Sequence, residues 1–314
     1  MIALGARAMS RLAIVLALLL PLVSMPRPVV HTTIRAAVPA VLDVTASYEV
    51  RRAQRGRLEQ RPREGSLPSI PARKITKRLD RYLRGRPGPV TAMVKELQTG
   101  RVYRYHPGER LITASTAKVQ ILMALLLATP WKKLPAAVRR DADLMIRYSD
   151  NRAADRLWLR IGGAAGFTRA GKKLGLRHTQ GVPGDCVDLY CWGITRTSVE
   201  DQIRLMQALV SGKSPLRAGD RKKVLDLMSR VVDGQDWGIS AATCRDERAA
   251  LKNGWLRRVS NKRWATISVG LIRGDGRDYA VAVLTEGSSE VGQGIETVEG
   301  VTERIMRDFR RCPG

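Results

Sequence analysis

The apolar positions of this chain change period several times, and those changes divide it. The first pattern is a continuous apolar run over residues 12–23, preceded by Arg7 and Arg11. A basic start followed by such a run reads as an export leader. At twelve residues the run is short for a membrane span, which needs roughly 20. Residues 1–30 are therefore assigned as a signal peptide or membrane anchor, and no small-x-small cleavage signal decides between them. Residues 31–72 have little apolar periodicity after Tyr48. They carry Arg-Arg-Ala-Gln-Arg-Gly-Arg, then Pro62, Pro68 and Pro71, which is the composition of a stalk.

From there the periods are those of a folded domain, 73–314. Ile75, Leu79, Tyr82 and Leu83 recur at helical spacing until Gly85 ends the helix. Residues 90–97 and 101–105 flank Thr99-Gly100 and predict a hairpin. A strongly apolar run at 119–128 predicts a buried helix, and helical patterns return at 134–146, 153–161 and 199–210. Residues 181–193 read as an irregular loop. Two β-rich runs, 263–272 and 278–284, flank Arg273-Gly-Asp-Gly-Arg277, and 295–309 closes the chain as a helix. The order is helix, hairpin, helical middle, hairpin, helix. It predicts an α+β fold in which N- and C-terminal segments build one antiparallel sheet flanked by helices. The middle forms an all-α lobe, and the cleft between lobe and sheet is the natural site.

Charge and cysteines narrow the setting. The net charge is +26, and Lys and Arg crowd residues 51–86. No nucleic-acid module or aromatic stacking platform accompanies them, so nucleic acid is not expected as a partner. For an exported chain, secreted or membrane-anchored, an anionic wall polymer or a membrane surface is the better match to the basic stalk. Cys186, Cys191, Cys244 and Cys312 form an even set suited to an oxidising compartment, with three pairings open. Their spacing matches no zinc pattern, so neither metal nor cofactor is expected.

Three short polar boxes carry the chemistry. Ser115-Thr-Ala-Lys118 sits at the mouth of the 119–128 run; positions i and i+3 of a helix share a face, so amine and hydroxyl can meet. A buried lysine loses its proton readily and can act as base to a serine nucleophile. Ser149-Asp150-Asn151 lies between two predicted helices, where a hydroxyl can relay a proton and an amide can hold a carbonyl. The same residue types also serve as a helix N-cap. Lys252-Asn253-Gly254-Trp255 precedes the last strand pair; its glycine admits a close backbone approach, although Asn-Gly is also a hairpin turn signal. The competing Ser–His chemistry has only His31, His106 and His178 to draw on, none in a pattern that fixes it against a nucleophile.

S-x-x-K, S-D-N and K-x-G in this order resemble the boxes of the class A β-lactamase family and its penicillin-binding relatives. The resemblance runs from about residue 73 to 310. It includes the hairpin from Glu96 to Tyr103, the Ser149–Leu157 helix entry, Gly162-Gly163 and Thr195-Arg-Thr-Ser198. It implies a monomeric serine hydrolase acting on β-lactam or wall-peptide D-Ala-D-Ala-type amides through an acyl-serine. A penicillin-binding D,D-carboxypeptidase with slow lactam turnover and a non-catalytic wall-binding protein are the alternatives. Ser115 would be the nucleophile, Lys118 its base, and Ser149 the donor to the leaving nitrogen. Asn151 would bind the substrate amide, and Lys252 would tune Ser149 and attract the substrate carboxylate. Gly254 admits the substrate backbone, and the N–H groups of Ser115 and Trp255 would form the oxyanion hole.

Three departures stand out. Asn253 replaces the usual Thr or Ser, and its amide is expected to donate to the carboxylate instead. Only 34 positions separate Ser115 from Ser149, so the helical lobe is shortened and the cleft more open. The segment 175–195 contains no glutamate to activate water for deacylation; Asp185 takes the place by ungapped counting, with Asp188 its neighbour. Asp185 is one methylene shorter and also fits an ordinary turn in Pro183-Gly184-Asp185.

Overall fold

The computed structural model describes residues 69–184, 190–274 and 276–312, all within one compact unit, Leu67–Gly314. The leader, nearly all of the stalk, and residues 185–189 with Asp185, Cys186 and Asp188 lie outside the described residues. Among the described residues no helix is long and apolar enough to cross a membrane.

Helix α1 (Ala72–Leu83) is followed by β1 (Val90–Glu96), β2 (Val102–Tyr105) and a short β3 (Leu111–Ile112). A 3-10 turn, Ala114–Thr116, leads into α2 (Ala117–Ala128). The lobe continues through α3 (Ala136–Arg147), α4 (Asn151–Arg160), α5 (Gly163–Lys173), α6 (Cys191–Ile194), β4 (Arg196–Thr197), α7 (Val199–Val210) and α8 (Ala218–Met228). Then come β5 (Arg248–Arg257), β6 (Trp264–Gly274), β7 (Arg277–Ser288) and α9 (Val291–Met306).

The main sheet has the order β2-β1-β7-β6-β5 and is antiparallel throughout. The N-terminal hairpin thus docks on the last strand of the chain, as the apolar pattern at the two ends predicted. The period of two along β7 divides its side chains between two cores. Tyr279, Val281 and Val283 pack with Ile75 and Leu79 of α1 and Val298 and Val301 of α9. Ala280, Ala282 and Leu284 face the helical lobe and α2.

Helix α2 is buried from Ala117 to Leu126 and is apolar nearly all round, so it runs through the lobe's centre rather than along its surface. Lys118 and Gln120 are carried into that interior by the helix itself. Helices α5 and α8 were not predicted: α8 carries little apolar periodicity, and the buried stripe of α5 is mostly Gly and Ala. Asn253-Gly254 forms no turn: Lys252, Asn253 and Gly254 pair with Val269, Ser268 and Ile267 in mid-strand. Cys244 is bonded to Cys312 across 68 positions, tying the approach to β5 to the chain beyond α9. Cys244 is thereby unavailable to Cys191, the first residue of α6, which is also disulfide-bonded.

Candidate active site

Ser115 lies in the 3-10 turn at the head of α2, partly exposed, while Lys118 one turn on is fully buried. Ala114, just before the nucleophile, has φ +43°, a left-handed conformation that costs an L-residue about 1 kcal/mol or more. Such strain is retained where the surroundings over-determine it, and here it sets the Ser115 N–H against β5. Lys118 Nζ does not hydrogen-bond Ser115 Oγ. It donates to the Ser149 carbonyl at 2.6 Å, to Asn151 Oδ1 at 2.7 Å and to Ser149 Oγ at 3.2 Å. The helical spacing puts amine and nucleophile on one side, and the second box holds the amine.

That second box is itself strained into place. Ser149 has φ +58°, which lets its carbonyl and its hydroxyl face the same amine. Asp150 caps α4, its Oδ1 accepting the Ala153 N–H at 2.6 Å. The cap and the chemistry therefore belong to adjacent residues: Asp150 starts the helix, and Ser149 and Asn151 are left for the cleft. With Asn151 Oδ1 on Lys118, its Nδ2 remains to donate to a substrate carbonyl.

Lys252 reaches the same hydroxyl from the sheet side, donating to Ser149 Oγ at 3.0 Å and to the Asn253 carbonyl at 3.0 Å. Two lysines thus converge on one serine with no acid between them at contact distance. Burial pushes the Lys118 amine well below the usual lysine range, and the nearby Lys252 pushes it further; Asp150 and Asp155 pull back the other way. Burial alone lowers Lys252 to about 7. Both amines hold their protons less tightly than an exposed lysine, and on losing one Lys118 keeps two of its three donations and frees a lone pair. A neutral Lys118 can take the Ser115 proton, and Ser149 can pass one onward.

Gly254 is required by packing. A Cβ there would sit 2.6 Å from Ser115 N, 2.9 Å from Ala114 Cβ and 3.1 Å from Thr113 O. Strand β5 is the sheet edge, so Gly254 and Trp255 border the nucleophile without another strand intervening. Asn253 points to the opposite face of β5, fully buried, and both its N–H groups are engaged, with Gln235 O at 2.9 Å and Trp237 O at 2.7 Å. The amide expected to meet a substrate carboxylate instead anchors the segment before Ile239. Its Oδ1 is left buried without a partner.

The structure adds residues the sequence did not single out. The Trp192 ring lies under Lys118, its centroid 4.6 Å from Nζ, and Trp192 Nε1 donates to the buried Asp155 at 2.7 Å. Trp192 O accepts the Thr113 hydroxyl at 2.7 Å, tying α6 to the turn that carries Ser115. The sequence signal for this was weak, since Trp192 is one of several apolar residues in the loop, with Val182, Val187 and Leu189. Asp185 and Asp188 lie outside the described residues. His106 Nδ1 rests on Val90 O, the His178 backbone N–H donates to Asp201, and no hydrogen bond joins either ring to the boxes among the described residues.

A family model described as "Beta-lactamase enzyme family" matches residues 132–309, more than half of the chain. The chain belongs to this family. Two of the three boxes fall inside the match, and the first lies just ahead of it. "Putative lipoprotein LppW" of Mycobacterium tuberculosis (strain ATCC 25618 / H37Rv) is 31% identical over 203 residues, and the chain spans 62% of that relative's length. "Beta-lactamase 1" of Streptomyces cacaoi is 28% identical over 165 residues, 49% of this chain and 48% of that protein. Among solved structures, PBP-A superposes with TM-score 0.65 at 22% identity, covering 77% of this chain and 98% of its own. A class A β-lactamase from Mycobacterium abscessus gives 0.64 at 21%, covering 75% and 99%. These two likenesses bear on the fold: an α+β β-lactamase architecture with an antiparallel sheet.

Proposed function

We propose that this β-lactamase-family chain is an exported serine acyl-hydrolase. It opens β-lactam or D-Ala-D-Ala-type amides through an acyl-Ser115 that it releases slowly. The observation that carries this is the hydroxyl of Ser149 held between two buried amines whose proton affinities are both depressed. Ser115 Oγ attacks the carbonyl carbon while its proton passes to neutral Lys118. The oxyanion is met by the N–H groups of Ser115 and Trp255. The C–N bond then breaks, the leaving nitrogen takes the Ser149 proton, and Ser149 recovers one from Lys118. The products are an acyl-serine and an amine, which leaves from a peptide and stays tethered to the acyl group of an opened lactam; water must then attack the ester.

Slow release is supported by what lies against Lys118. An indole, pinned by Asp155, occupies the amine's flank, and an aromatic ring neither takes a proton from water nor positions it well. A PBP-A mutant has been solved as an acyl-enzyme with penicillin G, the state expected here to accumulate. Export is read from the basic leader.

The test is incubation with a fluorescent penicillin followed by intact mass. A single adduct persisting for many minutes, absent in Ser115→Ala, is the expected result. Rapid turnover without an adduct overturns slow release. No adduct and no labelling of Ser115 by a fluorophosphonate overturns the enzyme.

A further inference from the structure

Six cations gather along a groove that the acylation site does not use. The turn Trp131–Lys133 and the start of α8 line one cavity of about 550 Å³. Helix α8, the end of α7 and the first residues of β5 line a second, of about 640 Å³. The two share Lys222 and Asp226, so they form one groove across α8. We propose that this groove binds an acidic glycan, a sugar chain bearing carboxylate or phosphate groups, as a site separate from the acylation centre. Helix α2 keeps the two apart. Ser115 stands at its head and Trp131 just beyond its end, 12 residues or roughly 18 Å away.

The cations here lack counter-charges. Lys132, Lys133, Arg217, Arg221, Lys222 and Arg248 line the groove, and none makes an ion pair among the described residues. The carboxylates beside them are engaged. Asp226 holds Lys223 at 2.9 Å and Arg230 at 2.5 Å, and Asp278 holds Arg273 at 3.2 Å. Arg217 sits at the N-terminus of α8, where the helix dipole adds positive charge of its own. Arg248 stands directly opposite Arg273 across the β5–β6 ladder, and like charges so placed repel. An anion laid along the groove relieves both.

The groove also holds an aromatic surface that is fixed in place. Trp131 is half-buried in the wall of the smaller cavity. Its backbone N–H donates to Asp220 Oδ1 at 2.9 Å, which ties the turn to α8, and Lys223 Nζ lies 5.1 Å from the ring centroid. An indole among cations suits an acidic sugar: the ring takes the apolar face of the sugar and the cations take its charge. Both cavities fall within the roughly 300–1,000 Å³ of small-ligand pockets, which suits successive units of a chain. A bilayer is flat and is met by protruding apolar side chains beside cations, whereas these cations line concave walls.

The larger cavity ends on Arg248, Ala249 and Ala250, the start of the strand that carries Lys252 and Gly254. At about 3.3 Å per residue, Gly254 lies roughly 13 Å beyond Ala250. A glycan held in the groove keeps its amide-bearing branches near the cleft, raising their local concentration without touching the reacting bond. That consequence rests on the serine-hydrolase reading; the binding itself does not.

The experiment is lysine footprinting of the full chain, acetylation read residue by residue by mass spectrometry, with and without hexagalacturonate. Lys132, Lys133 and Lys222 should be protected at least about 3-fold, while Lys172 and Lys173, exposed at the end of α5, stay unchanged. Trp131→Ala should raise the hexagalacturonate concentration needed by about 3- to 10-fold, and Trp131→Phe should not. Protection by polyphosphate, which has no ring, should not respond to Trp131→Ala. Arg221→Gln with Arg248→Gln should weaken both ligands. No protection, equal protection of Lys172 and Lys173, or an affinity indifferent to both Trp131→Ala and the double Gln variant overturns the site. Protection by vesicles of phosphatidylcholine with about 30% phosphatidylglycerol, but not by hexagalacturonate, assigns the groove to a membrane and overturns the glycan. Fluorophosphonate labelling of Ser115 is expected unchanged in every variant. Failure of groove binding with labelling intact leaves the hydrolase standing, and failure of labelling with protection intact overturns the hydrolase alone.

Discussion

The two faces of strand β5 differ as sharply as two proteins. On one face Lys252 and Gly254 look into the helical lobe, where they meet Ser149 and the Ser115 backbone. On the other, Asn253 and Trp255 look toward Gln235 and Trp237. Alternation along a strand makes this possible: neighbours in sequence are strangers in space. The lobe face holds Lys118 and Lys252 at hydrogen-bond distance from Ser149, beside the Ser115 backbone. The other face carries the departures, and they are structural as much as chemical. A third box can therefore be half preserved and half rewritten without breaking the strand that carries it.

The largest effect that would break this contrast is expected on the lobe face. Gly254→Val places carbon where Ser115 N and Thr113 O stand, at 2.6 and 3.1 Å. Acylation should fall by at least about a thousandfold, with about 1–3 kcal/mol of overpacking cost. Rapid-quench mass measurement and a thermal melt check it, and wild-type acylation in the variant would refute the close approach.

Next comes Lys252→Met. The Lys252 amine ordinarily titrates at 10.5 and is lowered to about 7 by burial. Between those values the unfolded chain holds the proton and the folded chain does not, so stability rises with pH across the window. The destabilisation is fully present below about 7 and gone above 10.5. Methionine removes it. The variant should be more stable than wild type at pH 6, by at most ~4–5 kcal/mol, with the gain vanishing toward pH 10.5. Its acylation should drop about 100-fold and lose the alkaline limb near pH 7 that Lys252 deprotonation gives the wild type. Denaturant titrations at three pH values measure the first; a pH–rate profile measures the second.

A smaller effect belongs to the opposite face. Asn253→Ala leaves Gln235 O and Trp237 O without donors, and also removes the orphan Oδ1. The net is expected at about 1–2 kcal/mol of stability, with Ser115 labelling by a fluorophosphonate changed less than about threefold. If labelling collapsed instead, the two faces would be coupled and the contrast would fail.

Much of this was legible in the chain. The 119–128 run announced α2, and the two alternating hairpins announced a sheet shared between the ends. The three boxes in order announced the family. What stayed illegible has physical causes. Helix α5, Gly163–Lys173, buries Gly166, Phe167, Ala170 and Gly171 at helical spacing, but three of those four are Gly or Ala and do not stand out as an apolar stripe. Trp192 looked like one more apolar loop residue, since its meeting with Lys118 spans 74 positions of sequence. Asn253 carried an ambiguous amide whose partners, sixteen and eighteen residues back, only the folded chain supplies.

By itself, then, the sequence determined which groups are available: a serine and lysine one helical turn apart, a second serine, a second lysine, and a glycine small enough for close approach. Those are properties of residue type and spacing, which local geometry enforces. Tertiary structure alone decided which groups meet. It gave Lys118 to Ser149 rather than to Ser115, set an indole beneath it, and turned Asn253 away from the cleft. Proton affinity and hydrogen-bond partnership depend on burial and on neighbours distant in the chain, and both come into being only when the core closes.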